Sequence, residues 1–227
     1  KIKLEDVAPL LENKLAKCYF HSVLEQKTII DAKGINSLLF KTEKQFVFFK
    51  ILHSKISIPQ YSKTHAYEKT PYAIVLWKDN NIEVEIFRKE NRWEQINEFF
   101  EKNIKNNIIF ASYDEKDVFL SVLQSLKRIF EVSYKEKIEL FDLASVFQEG
   151  MYCSKDFDTD LSFQSVNNHF IDLSDNDNLE IVAILKEYSN KLSALNDISL
   201  IDNYEKDDFD TIREYLKFHV LSVFNMY

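Results

Sequence analysis

Five histidines and two cysteines carry the widest chemical repertoire in this 227-residue chain. His21, His53, His65, His169 and His219 fall at no metal-ligand spacing, and neither HExxH nor CxxC occurs. They are expected to be ordinary surface or packed histidines. Cys153 has no histidine fixed beside it by spacing, so a thiol nucleophile is not expected. Cys18 and Cys153 are too few for a disulfide framework and fit a reducing cytosol. Gly (2) and Pro (3) are scarce, and no GxGxxG or GxxxxGK(S/T) is present, which excludes dinucleotide and P-loop chemistry. The net charge of -8 argues against a generic nucleic-acid coat. The charge is uneven, however. Lys41, Lys44, Lys50, Lys55, Lys63 and Lys69 face only Glu43 and Glu68, whereas acids dominate 156–210. The basic stretch is either a phosphate surface or a solvated lysine-rich loop.

The elements that must position such residues are legible from periodicity. Apolar residues make up 45% of the chain, with Phe (19) and Tyr (11) prominent, enough for a real core. Val7 to Gln26 reads as an amphipathic helix with Pro9 near its first turn. A short helix follows from the N-cap Asp31 to Phe40. Phe46–Leu52 is a short apolar run typical of a buried strand, and Ser54 to Thr70 reads as a long polar loop. Tyr72–Trp77 and Ile82–Phe87 make a hairpin around the turn Lys78–Asn81, with Glu83 and Glu85 on a solvated face. Helices are expected at Arg92–Lys105 and Asp114–Phe130, with a buried strand at Ile108–Ala111 between them. A strand at Ile138–Phe141 leads into a helix from Asp142 to Phe147. Further helices are expected at Leu161–Phe170, behind the cap candidate Asp160, at Leu179–Leu192 and at Asp207–Met226. This order gives an α/β fold with a mixed sheet flanked by helices. Trp77 and Trp93 are expected to pack rather than stack on bases. No run of eighteen apolar residues exists, so no membrane span is expected, and the absence of a signal peptide points to the cytoplasm. The chain starts at Lys1 without Met and stops mid-pattern at Tyr227, as a fragment of a longer protein would, and its residue bias suggests an AT-rich genome.

Several short motifs, in order, resemble one family. Phe48–His53 takes the place of a strand that reads roughly Tyr-Phe-Leu-Asp-Phe-Glu-Thr, after a lead-in helix at Ile30–Ile35. Ile58-Pro59-Gln60-Tyr61 and Pro71-Tyr72 follow. Ile109–Lys116 resembles a Val-Tyr-Asn-x-Ser-Phe-Glu-Lys motif. Asp142-Leu143, Leu161–Val166 and Glu214–Val220 match later motifs, the last of them on the final helix. The chain thereby resembles the RNase H-like, DnaQ-like 3′-5′ exonuclease superfamily. The branch is that of an RNase H-like domain in long bacterial proteins, common in mycoplasmas, where it follows a RecB-like nuclease region. The resemblance covers residues 30–227 and divides the chain into an N-terminal helical lead-in, 1–40, and an RNase H-like domain, 41–227.

That resemblance implies a metal-dependent site. Such exonucleases use two Mg²⁺ or Mn²⁺ ions held by four acids: two at alternate positions on the first strand, one after the fourth strand and one on the last helix. Here Lys50 and Leu52 stand at the strand positions, Glu115 keeps an acid, and His219 stands on the last helix. A lysine there repels the metals. The resemblance thus implies a catalytically degenerate binding or structural module of a larger nucleic-acid-processing protein, with no catalytic residue and no cofactor. Two alternatives stay open: an active exonuclease using Glu115, Asp142 and Asp208, and a protein-interaction domain suggested by the acidic 156–210 segment. Glu115 is either a relic ligand or a first-turn acid on its helix. Lys50, with His53 and Lys55, would bind single-stranded nucleic acid weakly and in a salt-sensitive way. In the competing reading, Lys50 reaches solvent or pairs with Glu115 in place of the lost metal. Expected partners are single-stranded nucleic acid and other domains of the longer chain, not a membrane.

Overall fold

The run Phe46–Leu52 is apolar at every position but Lys50, and in the computed structural model it forms the middle of a five-stranded sheet. The structure describes residues 11–39, 45–57, 67–104, 108–134, 138–153, 161–173, 179–192 and 195–227. In chain order the elements begin with α1 (Lys14–Glu25), β1 (Ile29–Ile30), α2 (Ala32–Leu39), β2 (Gln45–Ser57), β3 (Tyr67–Lys78), β4 (Asn81–Ile86), α3 (Arg92–Asn103), β5 (Ile108–Ser112) and α4 (Lys116–Phe130). There follow β6 (Glu139–Asp142), α5 (Leu143–Val146), a π turn (Phe147–Met151), β7 (Tyr152–Cys153), α6 (Phe163–Leu173), α7 (Leu179–Leu192), α8 (Asp197–Glu205) and α9 (Phe209–Met226).

The large sheet has the order β4-β3-β2-β5-β6. Its first three strands form an antiparallel meander, and β5 and β6 add in parallel to β2. The β3–β4 turn places Asp79 and Asn80 at φ 50° and 60°, a conformation that short polar side chains tolerate and two-residue hairpins need. Side chains alternate across β2. Val47, Phe49 and Ile51 pack with Ile96 and Phe100 of α3 and Phe119 and Val122 of α4. Phe48 and Leu52 pack on the other face with Leu216, Val220 and Val223 of α9. Helices therefore cover both faces, and Lys50 shares the α9 face with Phe48 and Leu52.

The structure corrects several sequence boundaries. Ser54–Thr70 is not all loop: β2 runs on to Ser57 and β3 starts at Tyr67, paired opposite it. The apolar run ends earlier, but the antiparallel ladder satisfies backbone groups whatever the side chains. Residues 58–66, which include the Ile58–Tyr61 motif, lie outside the described residues. The first helix starts at Lys14 rather than at Val7, whose placement lies outside them too. Leu11 and Glu12 are not helical, because Asn13 accepts from Ala16 N at 3.1 Å and caps the helix there. Asp114 lies before α4, not in it, at φ 58°. The helix after β6 is capped by Asp142 and gives way to the π turn at Phe147, where Gly150 takes φ 94°. The sixth helix begins at Phe163 rather than Leu161 and extends to Leu173, and its cap candidate Asp160 is outside the described residues. Helix α8 and the two-stranded sheet β1–β7 add to the elements expected from periodicity. Within the N-terminal segment, α1 packs on β7 and the π turn, and β1 pairs with β7. No described helix is long and apolar enough to cross a membrane.

Candidate functional site

Strands β2 and β5 run side by side in parallel, with Phe48 opposite Ala111. Because β5 ends at Ser112, Lys50 projects just beyond its carboxyl end, beside the turn Tyr113–Glu115 that leads into α4. The carboxyl ends of parallel strands are where open α/β sheets form crevices. A cleft of roughly 850 Å³ opens there, and Lys50, His53, Asp114, Glu115, Asp117 and His219 all contribute to its lining.

Glu115 sits at the N-cap position of α4, yet its side chain makes no cap hydrogen bond. It is buried, only 4% exposed, and forms a salt bridge and hydrogen bond with the Lys50 ammonium, itself 8% exposed. Glu115 thus stands at the head of α4, where an acid is favourable, while its carboxylate engages Lys50. His219 reaches the same cleft from α9 and is 2% exposed. Its ring lies flat against Phe163, centroids 3.9 Å apart and planes 6° apart. Burial first, and the Lys50 charge second, hold His219 well below the ordinary histidine pKa, so the imidazole is neutral at pH 7. Its Nδ1 has no hydrogen-bond partner among the described residues. Tyr113 donates its hydroxyl to the Leu161 carbonyl, which holds the start of α6 against the cleft.

The other sequence candidates are placed less centrally. Leu52 is fully buried in the α9-side core and does not line the cleft. His53 does line it, beyond an irregularity in the β2–β3 register between Leu52 and His53. The Lys55 side chain lies outside the described residues. Asp142 spends its oxygens on Asp114 N at 2.8 Å, Ala144 N at 3.3 Å and the Ser145 hydroxyl at 2.9 Å. Asp208 is the exposed N-cap of α9, accepting from Thr211 N at 3.3 Å. It precedes His219 by three helical turns, about 16 Å at 1.5 Å per residue. Glu115, Asp142 and Asp208 are thus not brought together, and no group of three or more potential ligands for a metal ion occurs among the described residues. His21 lies on α1 beside Glu25, and the side chains of His65 and His169 are outside the described residues.

Sequence reasoning missed Asp114, Asp117 and Phe163. A short polar residue in a turn after a buried strand is a usable signal for Asp114. Phe163 meets His219 only through the tertiary fold, and nothing local announces it. The charged lining of the cleft then comprises Lys50 against Asp114, Glu115 and Asp117, a balance unfavourable to a phosphate. A pair of divalent cations does not fit these residues either: the ammonium of Lys50 already engages Glu115, and His219 replaces a carboxylate with a neutral ring. No protein-family model matches the chain, and no curated protein matches it.

Proposed function

We propose that this chain is a catalytically silent RNase H-like, DnaQ-like nuclease domain that serves as a structural module in a larger nucleic-acid-processing protein. The carrying observation is a convergence. The resemblance assigns metal-site positions to the first strand, to the turn after the fourth and to the last helix. Lys50, Glu115 and His219 come from those three segments, far apart in sequence, and line one cleft. The order of three strands, helix, strand, helix, strand and helices agrees with the same reading.

At that position the ion pair performs the neutralisation that metals would perform in an active relative. One ammonium against one carboxylate balances charge, but it does not activate a water or a leaving oxygen. Binding of nucleic acid through Lys50 gains less support than pairing, because its charge is matched by Glu115 and the rim carries Asp114 and Asp117. The test is digestion of single-stranded DNA and RNA with Mg²⁺ or Mn²⁺. No cleavage above that of a Glu115→Ala control is expected. Metal-dependent cleavage that Glu115→Ala abolishes would overturn the reading.

A further inference from the structure

Helix α1 carries Cys18, and β7 carries Cys153, which is 1% exposed. Strand β7 pairs antiparallel with β1, setting Cys153 opposite Ile29. The Cys18 sulfur lies 4.0 Å from the carbonyl oxygen of that same Ile29. Cys18 and Cys153 thus converge on Ile29 from α1 and β7, two elements packed against each other. Both thiols are free, and no other cysteine exists in the chain. Nothing in their spacing pairs them; the β1–β7 bridge, a contact far apart in the chain, is what brings them together.

We infer that Cys18 and Cys153 form a reversible disulfide, with Cys18 as the attacking thiol and Cys153 as the resolving one, which fastens α1 to the body of the protein. Cys18 is the half-buried partner and the one a reagent reaches first. Its thiolate attacks one sulfur of a small-molecule disulfide of the glutathione class, forming a mixed disulfide and releasing one thiolate. The Cys153 thiolate then attacks the Cys18 sulfur and expels the second. Two protein thiols lose two electrons, the reagent disulfide gains them, and the two protons end on the two released thiols. Burial holds both thiols above the ordinary cysteine value, so the reaction is slow at neutral pH and speeds up as pH rises. A reversible, slowly formed bond suits a compartment that keeps most thiols reduced. The link closes a loop of most of the chain, and long loops gain most from closure.

The experiment exposes the full chain to oxidised glutathione at mildly alkaline pH, then alkylates under denaturing conditions and measures intact mass. The expected product is a monomer lighter by two hydrogens, with neither cysteine alkylated and with one peptide containing Cys18 linked to one containing Cys153. Its melting temperature rises by roughly 10 °C, a shift that a dithiol reductant reverses and that Cys18→Ser never shows. Three results would each overturn the inference: both cysteines remaining alkylatable, Cys18 staying glutathionylated without resolution, or linkage between two chains instead of within one.

Discussion

Burying an ammonium beside a carboxylate strips water from both ions, and their attraction only about offsets that cost. Lys50 and Glu115 are in that position, so their pairing sets what each contributes. Removing one partner leaves a buried charge uncompensated. Glu115→Ala is expected to lose about 3–5 kcal/mol of stability, whereas the paired change Lys50→Met with Glu115→Leu loses far less. Urea unfolding of the three proteins checks this, and equal losses in the single and paired variants would contradict it. His219 gives a pH dependence of definite sign. Its folded pKa lies below the ordinary 6.5, so the unfolded chain takes up the proton first as acid is added. Stability from the neutral ring is complete above about 6.5 and is lost as pH falls from there toward the folded value. His219→Gln is therefore expected to flatten the loss of stability between about pH 7 and 5. A slope unchanged from wild type in urea titrations would show that the ring is not the source. At this scale the sequence left Lys50 between solvent, phosphate and Glu115, because a strand's alternation gives the face of a side chain and not its partner.

Elements decide which of those partners is within reach. The parallel neighbourhood of β2 and β5 puts Lys50 next to the start of α4, and α9 lies across the same face to deliver His219. Strong periodicity made most of these elements readable, including the hairpin turn at Asp79 and Asn80. What escaped was polar or non-local. The outer ends of β2 and β3 carry little apolar signal, and β1–β7 is a two-residue bridge. Helix α8 had a readable start: Asn196 and Ser199 cap one another, side chain to backbone N–H in both directions. The capping roles also sort the acids. Asp208→Ala is expected to cost about 1 kcal/mol through loss of the α9 cap and to leave the cleft unchanged. Thermal unfolding gives the cost. A change in His219 titration by NMR in that variant would show that Asp208 acts on the cleft after all.

Across the whole molecule, the fold keeps a cleft at the carboxyl ends of its central parallel strands, and the Lys50–Glu115 ion pair forms part of its lining. The sequence supplied the residues and their order; their convergence needed the sheet to be assembled and α9 laid across it. If Lys50, Glu115 and His219 stand where a metal centre belongs, then restoring acids there should restore metal binding. The double variant Lys50→Asp with His219→Asp, shown to be folded by circular dichroism, is melted with and without millimolar Mn²⁺ alongside wild type. A metal that binds only the folded state raises stability by about 2.7 kcal/mol at a hundredfold excess over its dissociation constant. The expected result is a rise of several degrees in the variant's melting temperature, lost on adding Glu115→Ala, and no shift in wild type. A folded double variant that melts at the same temperature with and without Mn²⁺ would contradict the claim that these residues occupy a metal site.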